Sequence, residues 1–338
     1  MQVVPKATER VHRMQYQGDW TEGAAHDRLE QTLRALPSRR IYRFKNASEM
    51  YGAPHVAAEY LGLNRPRRIR NRTWQHGWVS PGEMVDPLWV TMGQGKTRSM
   101  HLVARQEEAL YLQKHGYRSI SIGLPFAYAL ATSFATPDRV PRSVLVLPTH
   151  SSRLKRLADA RVVHSFVEWV TSQISDKTYV TVCLHDEDLR TQTANSAWLQ
   201  SGFKIIAGAR VDDANSLRRM AFLFSCHETV VVDHCGSSIP MALACGSQVA
   251  VFRHVAPPRY ESQRHERHED AAVPPFATQE WLERTQPELF CDLKDAVSNA
   301  GWGREQIGAA NILSRERLMK SLGWKKAFQR SAPAAQSL

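Results

Sequence analysis

Apolar positions along the chain alternate between short runs rich in β-branched residues and longer stretches with helical spacing. The sharpest case is 229–252. Thr229-Val230-Val231-Val232-Asp233 has no polar alternation, which is the pattern of a parallel strand buried on both faces. His234-Cys235-Gly236-Ser237-Ser238 turns the chain, 239–245 has helical spacing, Gly246 is placed to cap that helix, and 248–252 reads as the next strand. The same patterns predict strands at 40–44, 72–78 (running into a turn), 100–104, 119–122, 143–147, 179–184 and 204–207. They predict helices at 21–36, 47–63 with a kink at Pro54, 106–115, 162–174, 193–199 and 214–225, the last with Leu217, Met220, Ala221 and Phe224 on one face. Residues 88–92 form a further apolar piece. Beyond 252 come a long Pro-, Arg- and His-rich loop to 275, short helices at 279–284 and 293–299, and a longer one at 304–322.

Alternation of strand and helix predicts an α/β fold with parallel sheets, and two such series predict two Rossmann-like domains facing a cleft. The two prolines of 136–141 mark a linker between domains at 1–136 and 142–300, followed by a C-terminal helical segment, 301–330, and a disordered tail, 331–338. The loop at 253–275 is either a lid or a surface excursion.

Composition adds a charge. The 338 residues hold 44 Lys and Arg against 33 Asp and Glu, a net +11. Such a surface suits phosphorylated substrates, an anionic membrane face or nucleic acid. It peaks at 65–72, where Arg65, Arg67, Arg68 and Arg70 are either a solvated loop or a contact to an acidic acceptor or lipid headgroups. Nucleic acid is disfavoured, because no helix-turn-helix, zinc-finger or RNA-binding signature lies beside the patch. No apolar run approaches the ~20 residues of a membrane span, and the start lacks a signal-peptide core, which predicts a cytoplasmic protein. Five cysteines without CxxC spacing predict reduced, buried thiols and no zinc.

Three strand-end loops in the second half carry hydroxyls, imidazoles and carboxylates: Thr149-His150-Ser151-Ser152, His185-Asp186-Glu187-Asp188 and Asp233 to Ser238. Parallel strands bring such loops to one edge of the sheet. In the third loop, Asp233, Gly236, Ser237 and Ser238 lead into a helix whose free N–H groups would face an anion; the plain alternative is a serine N-cap. His150 with Ser151 and Ser152 could donate to phosphate oxygens, His185 belongs to the same nucleotide and phosphate site, and Asp186 or Glu187 could hold a ribose or sugar hydroxyl. In the first half, Trp74-Gln75-His76-Gly77-Trp78 puts a histidine at a strand end beside a glycine. An imidazole there can act as general base or simply pack between tryptophans. Glu83 and Asp86 are alternative bases or orienting partners. Gly93-Gln94-Gly95-Lys96-Thr97 is not a Walker A loop: the required first glycine is Val90, and a strand follows. His254, His265 and His268 sit among arginines, which oppose a metal cation.

The layout resembles GT-B glycosyltransferases of the bacterial capsule and surface-polysaccharide type. Trp74 to Gly77 looks like the Trp-His-Gly loop of CDP-glycerol glycerophosphotransferases, and Asp233 to Ser238 is similar to their Asp-x-Ser-Ser turn with Cys-Gly added. Ser237 and Ser238 also resemble the paired hydroxyls of bacterial sialyltransferases, with His150 in the place of their phosphate-binding histidine but followed by Ser151 instead of proline. The resemblance implies a metal-independent transferase without a cofactor. A nucleotide sugar would sit on the second domain, and His76 would take the proton of an acceptor hydroxyl entering from the first. The acceptor would be a growing surface polysaccharide or glycolipid, reached at the inner membrane face by a peripheral protein. A nucleotide-sugar epimerase on the same fold and a non-catalytic polyanion-binding protein are the alternatives.

Overall fold

The computed structural model describes residues 39–40, 47–91, 99–132, 139–149, 160–175, 179–185, 189, 192–253 and 277–324. Both sheets are parallel. The first has three strands, β1 (Arg72–Trp74), β2 (Met100–Val103) and β3 (Arg118–Ser121), in sequential order, with Trp74 opposite Leu102 and Leu102 opposite Ile120. The second has five: β4 (Val140–Leu147), β5 (Tyr179–Leu184), β6 (Lys204–Ala207), β7 (His227–Val232) and β8 (Gln248–Val251). Their order is β6-β5-β4-β7-β8. The order reverses between β4 and β7, so the crevice outside their carboxyl ends is a topological switch point, where open α/β sheets take ligands. The fold is therefore the expected α/β class, two parallel sheets facing a cleft.

The continuous apolar runs are explained by burial on both faces. Val144, Val146, Val182, Val231 and Ala250 pack outward against Phe166 and Val170 of α5 (Ala160–Gln173) and Trp198 of α6 (Gln192–Gln200). On the other face, Leu145, Val230, Val232 and Val249 belong to a cluster that continues through Phe224 and Phe126 to Trp74 and Leu102 of the first sheet. The helix α7 (Ser216–Cys226) lies at the middle of this cluster and is buried around almost its whole circumference, with Arg219, Phe222 and Leu223 inside as well. The one-face reading of this helix is thus corrected: it is a central helix between the sheets, not a surface one.

Other departures have local causes. Pro54 does not kink a helix; it stands in the first turn of α1 (Ala53–Tyr60), where proline fits, and the break comes earlier at Met50-Tyr51-Gly52. The short apolar piece is the helix α2 (Pro87–Val90). Behind α3 (Gln106–Lys114), α4 (Pro125–Ala131) was not expected; Pro125 to Ala129 are all buried, so no polar face marks it as a helix. Strand β4 starts at Val140, inside the expected linker, and Arg139 beside it donates to the carbonyls of Gly246 and Cys245 (2.6 and 2.9 Å), closing the end of α8 (Ser238–Ala244). After α9 (Ala277–Thr285), 293–299 is a single 3-10 turn and a bridge from Val297 to Val249, because Asn299 caps a new helix, α10 (Ala300–Gln306), by accepting the Trp302 N–H at 3.1 Å. The expected helix at 304–322 is broken by Gly308, at φ 71°, and resumes as α11 (Arg315–Ser321). The expectations for 21–36, 41–44, 93–97, the 254–275 loop and the tail lie outside the described residues.

The C-terminal segment packs closely on the second half. A Cβ on Gly303 would lie 2.4 Å from the Ala244 backbone nitrogen, so α10 packs on α8 through bare backbone. Gly303→Ala is therefore expected to destabilise the protein by about 1–3 kcal/mol, the cost of overpacking, read as a lower urea midpoint. His55 of α1 supplies a pH test. Burial, then Arg39 and Arg218, push its imidazole down to about 4, with Asp213 opposing. The unfolded chain then takes up a proton before the folded one, so stability falls as pH drops from about 6.5 towards about 4. In His55→Gln that part of the pH dependence of unfolding should flatten.

Candidate functional site

The loop 75–79, which follows β1, is built from both ends. Gln75 continues the ladder, its N–H on the Leu102 carbonyl at 2.9 Å, and its side chain accepts the Ala104 N–H at 2.8 Å. Its amide reaches the Glu108 carboxylate at 3.4 Å. Glu108 is fully buried and receives Arg105 twice, from Nε at 3.1 Å and Nη2 at 2.9 Å. The same guanidinium donates to the Val79 carbonyl at 2.9 Å and to Gln306 of α10, which also accepts the Trp78 indole N–H at 3.0 Å. Burial pushes the Glu108 carboxyl up, with Arg105 and Gln75 offsetting part of that. His76 and Gly77 are thus suspended between two anchored flanks.

The loop crosses to the second sheet. Trp78 donates its backbone N–H to the Ser237 hydroxyl at 2.9 Å. Around this contact lies a cleft of about 410 Å³. Its lining includes the polar residues His76, Glu83, His185, His234, Ser237 and Ser238 and, among apolar ones, Cys183, Gly208, Met220 and Phe224. Gly208 is required there, since a Cβ would stand 2.6 Å from the Cys183 sulfur. Burial pushes the Cys183 thiol up to about 12, so it is a packing group and no nucleophile at neutral pH.

Of the residues singled out from sequence, His76, Glu83, His185, Ser237 and Ser238 meet in this cleft. Ser238 Oγ is buried and has no hydrogen-bond partner among the described residues. Glu83 is partly engaged: its carboxylate accepts the Ser80 N–H at 3.1 Å, capping its own turn, which α9 backs through a 2.9 Å contact between Ser80 and Thr278 hydroxyls. Asp233 faces sideways. It accepts the N–H and hydroxyl of Thr149 at 2.6 and 2.9 Å, tying the exits of β4 and β7 together at the switch point. Gly236 stays clear of the cleft lining; a Cβ there would stand 3.2 Å from the His234 ring. Asp86 does not line the cleft; its charge acts on Tyr111. The arginine run does not line it either. Ile69 anchors that run in the core, Arg68 pairs with Glu49 at 3.4 Å and gives its carbonyl to the Trp324 indole, and Arg65 and Arg70 are exposed. His150, Ser151, Ser152, Asp186 and Glu187 lie outside the described residues.

Two lining residues were not singled out from sequence. His234 sits in the serine turn, its Nδ1 3.6 Å from the Asp233 carboxylate, and its place in that loop was the available signal. Tyr51 comes from the break before α1, its ring centroid 5.5 Å from that of His76. A Tyr-Gly-Ala-Pro stretch announces a chain break but nothing about where the tyrosine ring goes.

No protein-family model matches the chain, and no curated protein matches it. Among solved structures it is similar to a UDP-GlcNAc 2-epimerase from Neisseria meningitidis bound to UDP-GlcNAc, at 14% identity and a TM-score of 0.34, covering 65% of this chain and 61% of that one. It is also similar to the S. aureus MnaA–UDP co-structure, at 11% identity and a TM-score of 0.37, covering 89% and 92%. The chain thus spans about three fifths of the length of the first. At TM-scores this low the likeness decides nothing about activity. Among the described residues, no helix is long and apolar enough to cross a membrane.

Removing one partner of the Arg105–Glu108 pair should strand a buried charge. Arg105→Met is expected to cost about 3–5 kcal/mol of stability, and a double variant with Glu108→Leu to recover much of it. Denaturant unfolding of the three proteins checks this; an Arg105→Met midpoint equal to wild type would show that the network does not hold the loop.

Proposed function

We propose that the cleft is the active site of a transferase that moves a sugar, or a polyol phosphate, from a nucleotide-activated donor to an acceptor hydroxyl. The observation that carries this reading is the Trp78 N–H to Ser237 contact. It puts a suspended histidine and a serine turn at a sheet's switch point onto the same cleft. In this reading the donor phosphate lies at the turn, where Ser238 Oγ is buried without a partner and Ser237, its oxygen already accepting from Trp78, keeps its own proton to donate. His76 takes the proton of the acceptor hydroxyl, the oxygen attacks the anomeric carbon (or phosphorus), and the bond to the leaving nucleotide breaks with its electron pair going to phosphate. His234, beside the turn, is placed to meet that developing charge. An acidic polysaccharide or glycolipid acceptor suits the net charge of +11 and the exposed Arg65 and Arg70.

Thermal stabilisation by CMP, CDP, UDP and GDP tests the reading. A nucleotide at ~100 times its Kd raises stability by about 2.7 kcal/mol. One of the four should do so in wild type and in His76→Ala, and much less in Ser238→Ala, while transfer is lost in His76→Ala. A nucleotide sugar that is converted without any acceptor would instead make the protein an epimerase. No shift with any nucleotide, together with salt-sensitive polyanion binding, would leave a binding protein.

A further inference from the structure

Three non-glycine residues among those described have a left-handed backbone: Tyr51 at φ 57°, Asn71 at φ 54° and Arg142 at φ 57°. Asparagine tolerates that conformation, and Arg142 sits exposed at the register irregularity of β4 between Val140 and Val144, where its N–H is held by Glu228. Tyr51 has neither excuse, and it alone of the three lines the cleft. Strain of this kind persists only where the surroundings over-determine it.

The surroundings do so here. Met50 is extended, with ψ 156°, and Tyr51 and Gly52 are both left-handed, at φ 57° and 81°. The Tyr51 N–H is fixed on the Val211 carbonyl at 2.9 Å. Gly52 lies so close to the next segment that a Cβ would stand 2.2 Å from the Ala214 carbonyl oxygen. Residues 211–214 belong to the connection between β6 and α7, and are themselves locked by buried Asp213, which pairs with Arg219 at 2.7 Å and accepts the Arg39 N–H at 2.8 Å. The Tyr51 ring is therefore carried by the second sheet's half, although it belongs in sequence to the first. Its partner in the cleft, His76, is carried by the first half through Gln75, which is bonded to Leu102, Ala104 and Glu108. The two rings meet at 5.5 Å between centroids and 40° between planes.

We propose that Tyr51 is a positioning residue for His76: the clamp on Val211 and Ala214 forces its backbone left-handed so that its ring forms the wall against which the imidazole is oriented. The proposal rests on His76 acting as the base. It explains why a strained tyrosine stands where glycine would relax the turn, since glycine would supply the backbone but no wall.

The experiment uses the full chain with Tyr51→Gly, Tyr51→Phe and Tyr51→Leu, and reads the melting temperature and the ring-nitrogen chemical shifts of His76, assigned by their loss in His76→Gln. Tyr51→Gly should melt at or above the wild-type temperature yet move the His76 shifts. With a nucleotide sugar that turns over, kcat should fall about tenfold or more, with KM for the donor little changed. Tyr51→Phe should match wild type in every readout. Tyr51→Leu, which keeps bulk but no ring, should move the shifts as glycine does, and stands in if Tyr51→Gly fails to fold. Unchanged His76 shifts in Tyr51→Gly or Tyr51→Leu would overturn the proposal, as would a Tyr51→Phe shift as large as theirs, which would assign the effect to the hydroxyl. A wild type without turnover would defeat the functional reading and leave the shift comparison standing.

Discussion

One buried guanidinium holds the candidate site in register. Arg105 reaches Glu108, Gln306 and the Val79 carbonyl, and so binds the exit of β2, the first turn of α3, the flank of the His76 loop and the helix α10 into one knot. Val79 lies 26 residues from Arg105 in sequence, and Gln306 lies 201. A planar group with five fixed donors can set their mutual geometry where an apolar side chain of the same volume would leave it free to slide. The knot is costly to break because a lone buried charge would remain, and it is no large source of net stability when intact. Its contribution is the placement of the loop that carries His76 and Gly77.

The same division of labour appears across the cleft. Asp233 and Thr149 close the switch point from below, Ser237 receives the Trp78 N–H, and the Tyr51–Gly52 turn is pinned to the 211–214 segment. Each is a polar or bare-backbone contact between elements that the shared apolar core has already brought near. The core sets distance, while these few contacts set register. Bare glycine contacts at Gly52, Gly208, Gly303 and Gly308 allow approach closer than any Cβ would permit.

That division decides what could be read from the sequence. The strands of the second sheet were legible because burial on both faces writes itself as β-branched runs, as at Val230 to Val232, and parallel order then sends their exit loops to one edge. His76 and the Ser237–Ser238 turn were legible because each ends a strand and carries a glycine or serine where a turn needs one. Helix α4 was not, because with Pro125 to Ala129 all buried it has no polar face to set its period. The expected helix at 304–322 failed because the break at Gly308 is decided by the Ala104 carbonyl that it abuts, a contact from two hundred residues away that leaves no local trace. Arg105 and Tyr51 escaped for a related reason: beyond Glu108, three residues from Arg105, the partners that give them their roles are distant along the chain. Asp86 illustrates the converse, since proximity to His76 in sequence placed it near the loop but not in the cleft.

Charge is distributed in a way that bears on the proposed chemistry. The chain is strongly basic, yet no lysine or arginine is among the cleft-lining residues described. The buried arginines are bonded elsewhere, Arg105 to Glu108 and Arg219 to Asp213, and the part-buried Arg139 donates to the carbonyls that end α8. Inside the cleft the donors are hydroxyls and imidazoles. Under the proposed reading, the outer field gathers an anionic donor and acceptor, and falls off with salt over a Debye length of ~8–10 Å. Recognition of the phosphate is left to short-range neutral donors, which gain strength as water is excluded and need no counter-charge when the cleft is empty. An arginine at the same place would bind a nucleotide more strongly, and would hold the released nucleotide more firmly than the donor, because the leaving phosphate carries the greater charge. The neutral hydroxyl donors of the proposed phosphate site avoid that trap, because they carry no net charge to hold the product back.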